Sequence, residues 1–282
     1  MRNNLDRLGV EHPAPTTEEP LEAIQTKANN EDFSFIISKH LIELPSGGEF
    51  YPEGHPLREK PVIEIREMTA KEEDILTNQS YAKDGTLIDR FLSSIIVAPK
   101  INVKELLPGD KSALMLWSRI HSLGEEYEAG VACPSCGDSS QRSFNLTEVI
   151  KTFTSTAQEG CEKVSDVEFT YTLPRTKASV QFKIYVPDIQ KKLEDKIKKY
   201  EQYNIQHSKT AEELALVTTS IAGRTENLAK IYEQLPAADI RALKKVIKDL
   251  TPSAELMHDF ECSSCGFSQE LHIPLGVNFF FS

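Results

Sequence analysis

Cys133-Pro134-Ser135-Cys136-Gly137 and Cys262-Ser263-Ser264-Cys265-Gly266 are two units of one form, and Cys136 and Cys262 are separated by 125 residues. A zinc knuckle places two thiolates on a tight turn after a strand, with two intervening residues, so that both sulfurs reach one face of a tetrahedral ion at about 2.3 Å. Glycine after the second cysteine lets the turn close with backbone N–H groups aimed at sulfur. Two such units complete a four-cysteine site, so the expected cofactor is one structural zinc on Cys133, Cys136, Cys262 and Cys265. The separation then implies a zinc ribbon split by a long insertion, which ties the front of the chain to its end. Loop-closure cost grows only slowly with length, so such an insertion is tolerable.

Other readings of the cysteines fit less well. Thioredoxin-like chemistry wants C-x-x-C at a helix N-terminus after a βαβ strand, whereas both pairs here sit between short strands. Disulfides are rare in a reducing cytosol. A catalytic zinc keeps an open position, which four thiolates fill. His258 and His272 flank the second unit but are not needed as ligands. Cys161, the fifth cysteine, lies outside both units and reads as an incidental, partly buried thiol.

Charge narrows the partners. The chain has 282 residues and a formal net charge of −11, which gives no global attraction for phosphate backbones. Lys191, Lys192, Lys196, Lys198 and Lys199 are interrupted by Glu194, Asp195 and Glu201, as on a solvated helix face. Nucleic acid is therefore not the expected partner. No apolar stretch approaches the ~20 residues that span a bilayer, and the first residues lack the apolar block of a secretion signal. The expected location is the cytoplasm in which the chain is made. There is no glycine-rich phosphate loop, H-E-x-x-H or G-x-S-x-G, so an enzyme reading has no residues to stand on.

The fold class expected is α+β. Residues 1–32 read as a flexible acidic arm, broken by Pro13, Pro15 and Pro20. Residues 33–124 hold a small β element and helices. Pro45-Ser46-Gly47-Gly48 makes a tight turn, Val62-Ile63-Glu64-Ile65-Arg66 a strand, and Thr69-Ala70-Lys71-Glu72 a capping box that opens a helix. A second helix is expected over 86–97. A third starts at Asp110 as N-cap and ends at Gly124. Residues 125–148 form the first half of the ribbon. Residues 149–251 form the insertion, a β-hairpin turning at 174–177 followed by a helical bundle. In that bundle Thr210 opens a capping box and Gly223 ends the helix; another helix has Pro236 in its first turn. Residues 252–282 form the second half of the ribbon and an aromatic tip.

Several of these stretches, in this order, resemble T-even-type phage baseplate hub assembly proteins. They are Leu44-Pro45-Ser46-Gly47-Gly48 with Phe50-Tyr51-Pro52, residues 62–76, the Cys133 unit, Leu235-Pro236-Ala237-Ala238-Asp239, and the second cysteine unit with Ile273-Pro274-Leu275 and Phe279-Phe280. The resemblance covers roughly residues 35–282. It implies a non-catalytic morphogenesis protein that helps build, or joins, the central hub of a contractile tail. Its partners would be hub or tail proteins met in the host cytoplasm during assembly, with the virion baseplate as its second location. Phe50, Tyr51, Phe279, Phe280 and Phe281 are the residues expected to touch such partners, although an aromatic tip more often folds onto its own core than stands exposed as a docking patch. Shorter members of the group lack obvious cysteine units, so the zinc is read from these residues and not from the resemblance. A zinc-ribbon protein of nucleic-acid or transcription type is the alternative.

Overall fold

A computed structural model of the chain describes residues 37–98, 100–156, 159–273 and 279–281, and residues from Lys39 onward form one compact unit. The arm expected over 1–32 lies outside the described residues. In chain order the elements are β1 (Lys39–Glu43), β2 (Val62–Arg66), α1 (Ala70–Thr77), α2 (Gln79–Lys83), α3 (Leu87–Ile95), α4 (Pro108–Leu123), β3 (Glu126–Ala132), β4 (Ser139–Asn145), α5 (Leu146–Val149), β5 (Ile150–Phe153), β6 (Cys161–Lys163), β7 (Glu168–Thr172), β8 (Ser179–Lys183), α6 (Ile189–Gln202), α7 (Lys209–Val217), β9 (Thr218–Ile221), α8 (Leu228–Gln234), α9 (Ala237–Leu250), β10 (Ser253–Glu261) and β11 (Ser268–His272). The fold is mixed α and β with small antiparallel sheets: β1-β2, β3-β4, β11-β10-β5 and β6-β7-β8-β9.

Helix α4 organises the interior because it is apolar on two faces. Ala113, Leu116 and Ile120 recur at helical spacing and bury against Tyr127, Ala129 and Val131 of β3, Phe144 of β4, and Ala254, Leu256 and Phe260 of β10. Leu114 points into a second, larger cluster. That cluster holds Ile42, Ile63 and Ile65 of the first sheet, Phe91, Leu92 and Ile95 of α3, and Phe169, Val180 and Phe182 of the four-stranded sheet. Trp117 and Phe280 pack against both clusters. Gly109, in the first turn of α4, lies so close to the chain entering β10 that an added Cβ would stand 2.0 Å from the Pro252 carbonyl oxygen.

Several local expectations hold. Gly47 and Gly48 take positive φ, 59° and 81°, and a Cβ on Gly48 would meet the Leu57 and Lys60 backbone. Glu72 closes the capping box of α1 by accepting from the Thr69 backbone N–H and hydroxyl at 2.9 and 2.7 Å. The hairpin at 174–177 joins β7 to β8, and Gly124 caps α4.

Others are corrected. Asp110 is not the N-cap of α4; Leu107 is, with Pro108 at the first helical position. The Asp110 carboxylate instead accepts from the Ser46 backbone N–H at 3.0 Å, the Ser46 hydroxyl at 2.7 Å and the Tyr51 hydroxyl at 2.6 Å, all buried. The helix expected to run from Thr210 to Gly223 begins at Lys209 with Ser208 as its cap and stops at Val217. Thr218, Thr219, Ser220 and Ile221 turn into β9, because the free edge of β8 supplies the ladder that β-branched residues favour.

Candidate metal centre

Both cysteine units sit at hairpin tips. Tyr127, Ala129 and Val131 alternate inward along β3, which delivers Cys133 buried at its end. Phe260 does the same for Cys262 at the end of β10. The two turns repeat each other atom for atom. The Cys133 N–H donates to Asp138 O at 2.7 Å and the Gly137 N–H to Cys133 O at 2.9 Å. The Cys262 N–H donates to Phe267 O at 2.8 Å and the Gly266 N–H to Cys262 O at 2.9 Å. Both turns need positive φ at the glycine, 77° at Gly137 and 69° at Gly266, which only glycine reaches cheaply.

The tips meet. Cys133 Sγ lies 3.7 Å from Cys265 Sγ, and Cys136 Sγ lies 3.7 Å from Cys262 Sγ. All four sulfurs fall within 4.8 Å of one another. A disulfide needs about 2.05 Å, and all five cysteines are free thiols. Metal–sulfur bonds of about 2.3 Å in a tetrahedron require sulfurs about 3.8 Å apart, so the spacing suits a four-coordinate ion. Among the described residues this is the cluster of His, Cys, Asp and Glu able to hold a metal.

The electrostatics fit a cation as well. Burial opposes ionisation of Cys133, but the backbone N–H groups of Cys136 and Ser135 aimed at its sulfur outweigh it and bring the thiol down to about 7. Cys136 accepts from the Asp138 backbone N–H, yet the sulfurs of Cys265, Cys133 and Cys262 around it push its thiol up to about 12. The Cys133 thiolate forms readily and the Cys136 thiol resists, and a cation placed between the sulfurs would favour the ionised form of both.

Contacts outside the sulfurs hold the tips together. Arg142 of β4 donates from Nη2 to Glu261 O at 2.6 Å and lies over the Phe260 ring, with Cζ 4.6 Å from its centroid. Ser264 Oγ donates to Asp138 Oδ2 at 2.6 Å. His258 is outside the cluster: it stacks edge-on against Phe144, and burial followed by the Arg142 charge lowers its pKa. His272 pairs with Glu255 at 3.4 Å. Cys161 is half-buried on β6 against the larger cluster, where burial raises its pKa.

The aromatic residues expected to meet partners are placed differently. Phe50 and Tyr51 are 3% and 0% exposed, so neither stands at the surface. Tyr51 is drawn inward by Asp110 and stacks on His55, while Phe50 packs near Phe169. Phe279 is 3% exposed and edge-on to Tyr127, Phe280 is edge-on to Phe91, and Phe281 alone of the tip is 52% exposed. The tip thus folds mainly onto its own core. Arg119 was not singled out from the sequence, yet its buried guanidinium bonds the carbonyls of Phe279, Gly124 and Glu126 at 2.9, 2.5 and 2.9 Å. An arginine placed between Leu114-Met115-Leu116-Trp117 and Ile120 was the available signal.

No helix among the described residues is long and apolar enough to cross a membrane. No curated protein and no solved structure matches the chain. The family described as T4 bacteriophage base plate protein matches it over residues 37–281, nearly all of its length and both cysteine hairpins. The chain belongs to the T4-type phage baseplate protein family.

Proposed function

We propose that this baseplate protein assists or forms part of the central hub of a contractile tail, as a non-catalytic component that works by protein–protein contact. It would meet hub or tail proteins in the host cytoplasm and act in, or on the way to, the virion baseplate. The family match over residues 37–281 carries this reading. A gene knockout in the producing phage tests it. Loss of hub-containing baseplates supports the proposal; normal tails in normal yield contradict it.

Within that role, the four cysteines hold one structural zinc as a split ribbon. Four soft sulfur donors at tetrahedral spacing fill the coordination shell and leave no position for water or substrate, the pattern of a structural rather than a catalytic ion. The ion joins residue 133 to residue 265, so its binding energy becomes folding energy for both halves of the chain. The nucleic-acid alternative gains nothing from the ribbon surface, where Arg142 is already engaged at Glu261 and Phe260.

A further inference from the structure

The chain's charge is unevenly distributed. Residues 125–153 and 253–273, the two metal hairpins with α5 and β5, hold nine carboxylates against two basic side chains, net −7 of the chain's −11. Both bases are occupied, Arg142 as described and Lys151 by Glu270. The outer face of β3-β4 is an open sheet face. Glu126, Glu128, Gly130 and Ala132 point outward, and opposite them lie Asn145, Ser143, Gln141 and Ser139. Neither the Glu126 nor the Glu128 carboxylate is ion-paired among the described residues; the Glu126 carboxylate accepts from the Ser143 hydroxyl at 2.9 Å, while its backbone carbonyl is the one Arg119 holds.

The complementary surface lies on α9. Leu243, Val246 and Leu250 are buried, and Arg241, Lys244, Lys245 and Lys248 are exposed on the opposite face at i, i+3, i+4 and i+7. No carboxylate interrupts that stripe. Asp239 is buried and accepts from the Arg175 and Thr176 backbone N–H groups, and Asp249 is off the stripe and half-buried. None of the four bases is ion-paired among the described residues. Successive turns of a helix repeat every ~5.4 Å, and alternate residues of a strand every ~6.8 Å. Lys244 and Lys248 can therefore face Glu128 and Glu126 together.

From this complementarity we infer that the occupant of the β3-β4 face is the α9 stripe of a second copy of this chain. Unlike faces meeting in this way make a heterologous contact, which closes into a ring where the rotation allows. Desolvated like charges would be costly, so each face excludes its own kind and the contact has one register. The inference does not rest on the metal, and its failure would leave the baseplate reading untouched.

The test is sedimentation velocity of the full-length protein at about 50 mM and about 500 mM NaCl, since exposed charge pairs are screened between those limits. The unaltered chain self-associates at the lower salt and is monomeric at the higher. K244E/K245E and E126K/E128K lie on exposed positions, and unchanged melting curves confirm that each folds. Each alone weakens association about tenfold or more. Mixed in equal amounts, the two variants associate again, because every reversed face then has a complementary partner. A monomeric unaltered chain at low salt, or variants that fail to associate when mixed, overturns the inference. So does a K244E/K245E effect confined to binding of a short DNA duplex, which would make the stripe a nucleic-acid contact.

Discussion

Arg119 and Phe279 are 160 residues apart in sequence and joined by a buried hydrogen bond of 2.9 Å, from the guanidinium Nε to the Phe279 carbonyl. That bond sets the last aromatic residues against α4 at the point where the two hydrophobic clusters meet. Phe279 belongs to the smaller cluster and Phe280 packs against both. Phe279 and Phe280 are therefore part of the core, and Phe281 is the exposed residue of the tip.

Removing the tip should weaken the whole fold. Phe279→Ala deletes a nearly fully buried ring and should cost about 3 kcal/mol or more in urea unfolding. Arg119→Met should cost a comparable amount by leaving buried carbonyls without donors. A chain truncated after Val277 that unfolds at the same urea concentration as the full chain would contradict this account.

Gly109→Ala should destabilise, although alanine in a helix ordinarily gains up to about 1 kcal/mol over glycine. The added Cβ would meet the Pro252 carbonyl oxygen at 2.0 Å, and the clash is with backbone, which cannot swing aside. Thermal unfolding reads the sign. An increase in melting temperature would contradict this close approach of α4 to the chain entering β10.

The Arg66–Glu72 pair makes stability depend on acid. Burial alone would raise the Glu72 pKa, but two bonds from Arg66, at 2.7 and 3.0 Å, and two from Thr69 outweigh it and hold the carboxyl at about 2 against an ordinary 4.5. Between those values the unfolded chain binds the proton and the folded chain does not. The contribution is thus complete above about 4.5 and is lost as the pH falls through about 2. With solvent reaching the Arg66 side of the pair, its size is roughly 2 kcal/mol. Glu72→Gln should be less stable near neutrality, with the difference from the unaltered chain shrinking as the pH is lowered through that window. A constant difference would refute it.

The local signals in the sequence were those whose partners lie a few residues away. The Thr69–Glu72 box, the Gly47-Gly48 turn, the hairpin at 174–177 and both cysteine turns close on themselves, so residue type and spacing were enough. What was not legible depends on distant partners. Asp110 has the side chain of a cap and a position one turn from the helix start, and only the approach of Ser46 and Tyr51 makes it a buried acceptor. Thr218–Ile221 continues a helical pattern until β8 offers an open edge. Phe50 and Tyr51, set between glycines and prolines, look like a surface loop until Asp110 bonds the Tyr51 hydroxyl and Phe169 lies beside Phe50. At the metal centre the four cysteines were legible, but the bonds of Arg142 to Glu261 and of Ser264 to Asp138 were not, since each crosses between hairpins.

Elemental analysis of the protein, purified without added metal and dialysed against a weak chelator, tests the central claim most directly. Four thiolates around one ion should retain one zinc per chain, and Cys136→Ser with Cys265→Ser should lose it together with cooperative unfolding of the two hairpins. Protein that folds with the same stability and carries no zinc would contradict the account.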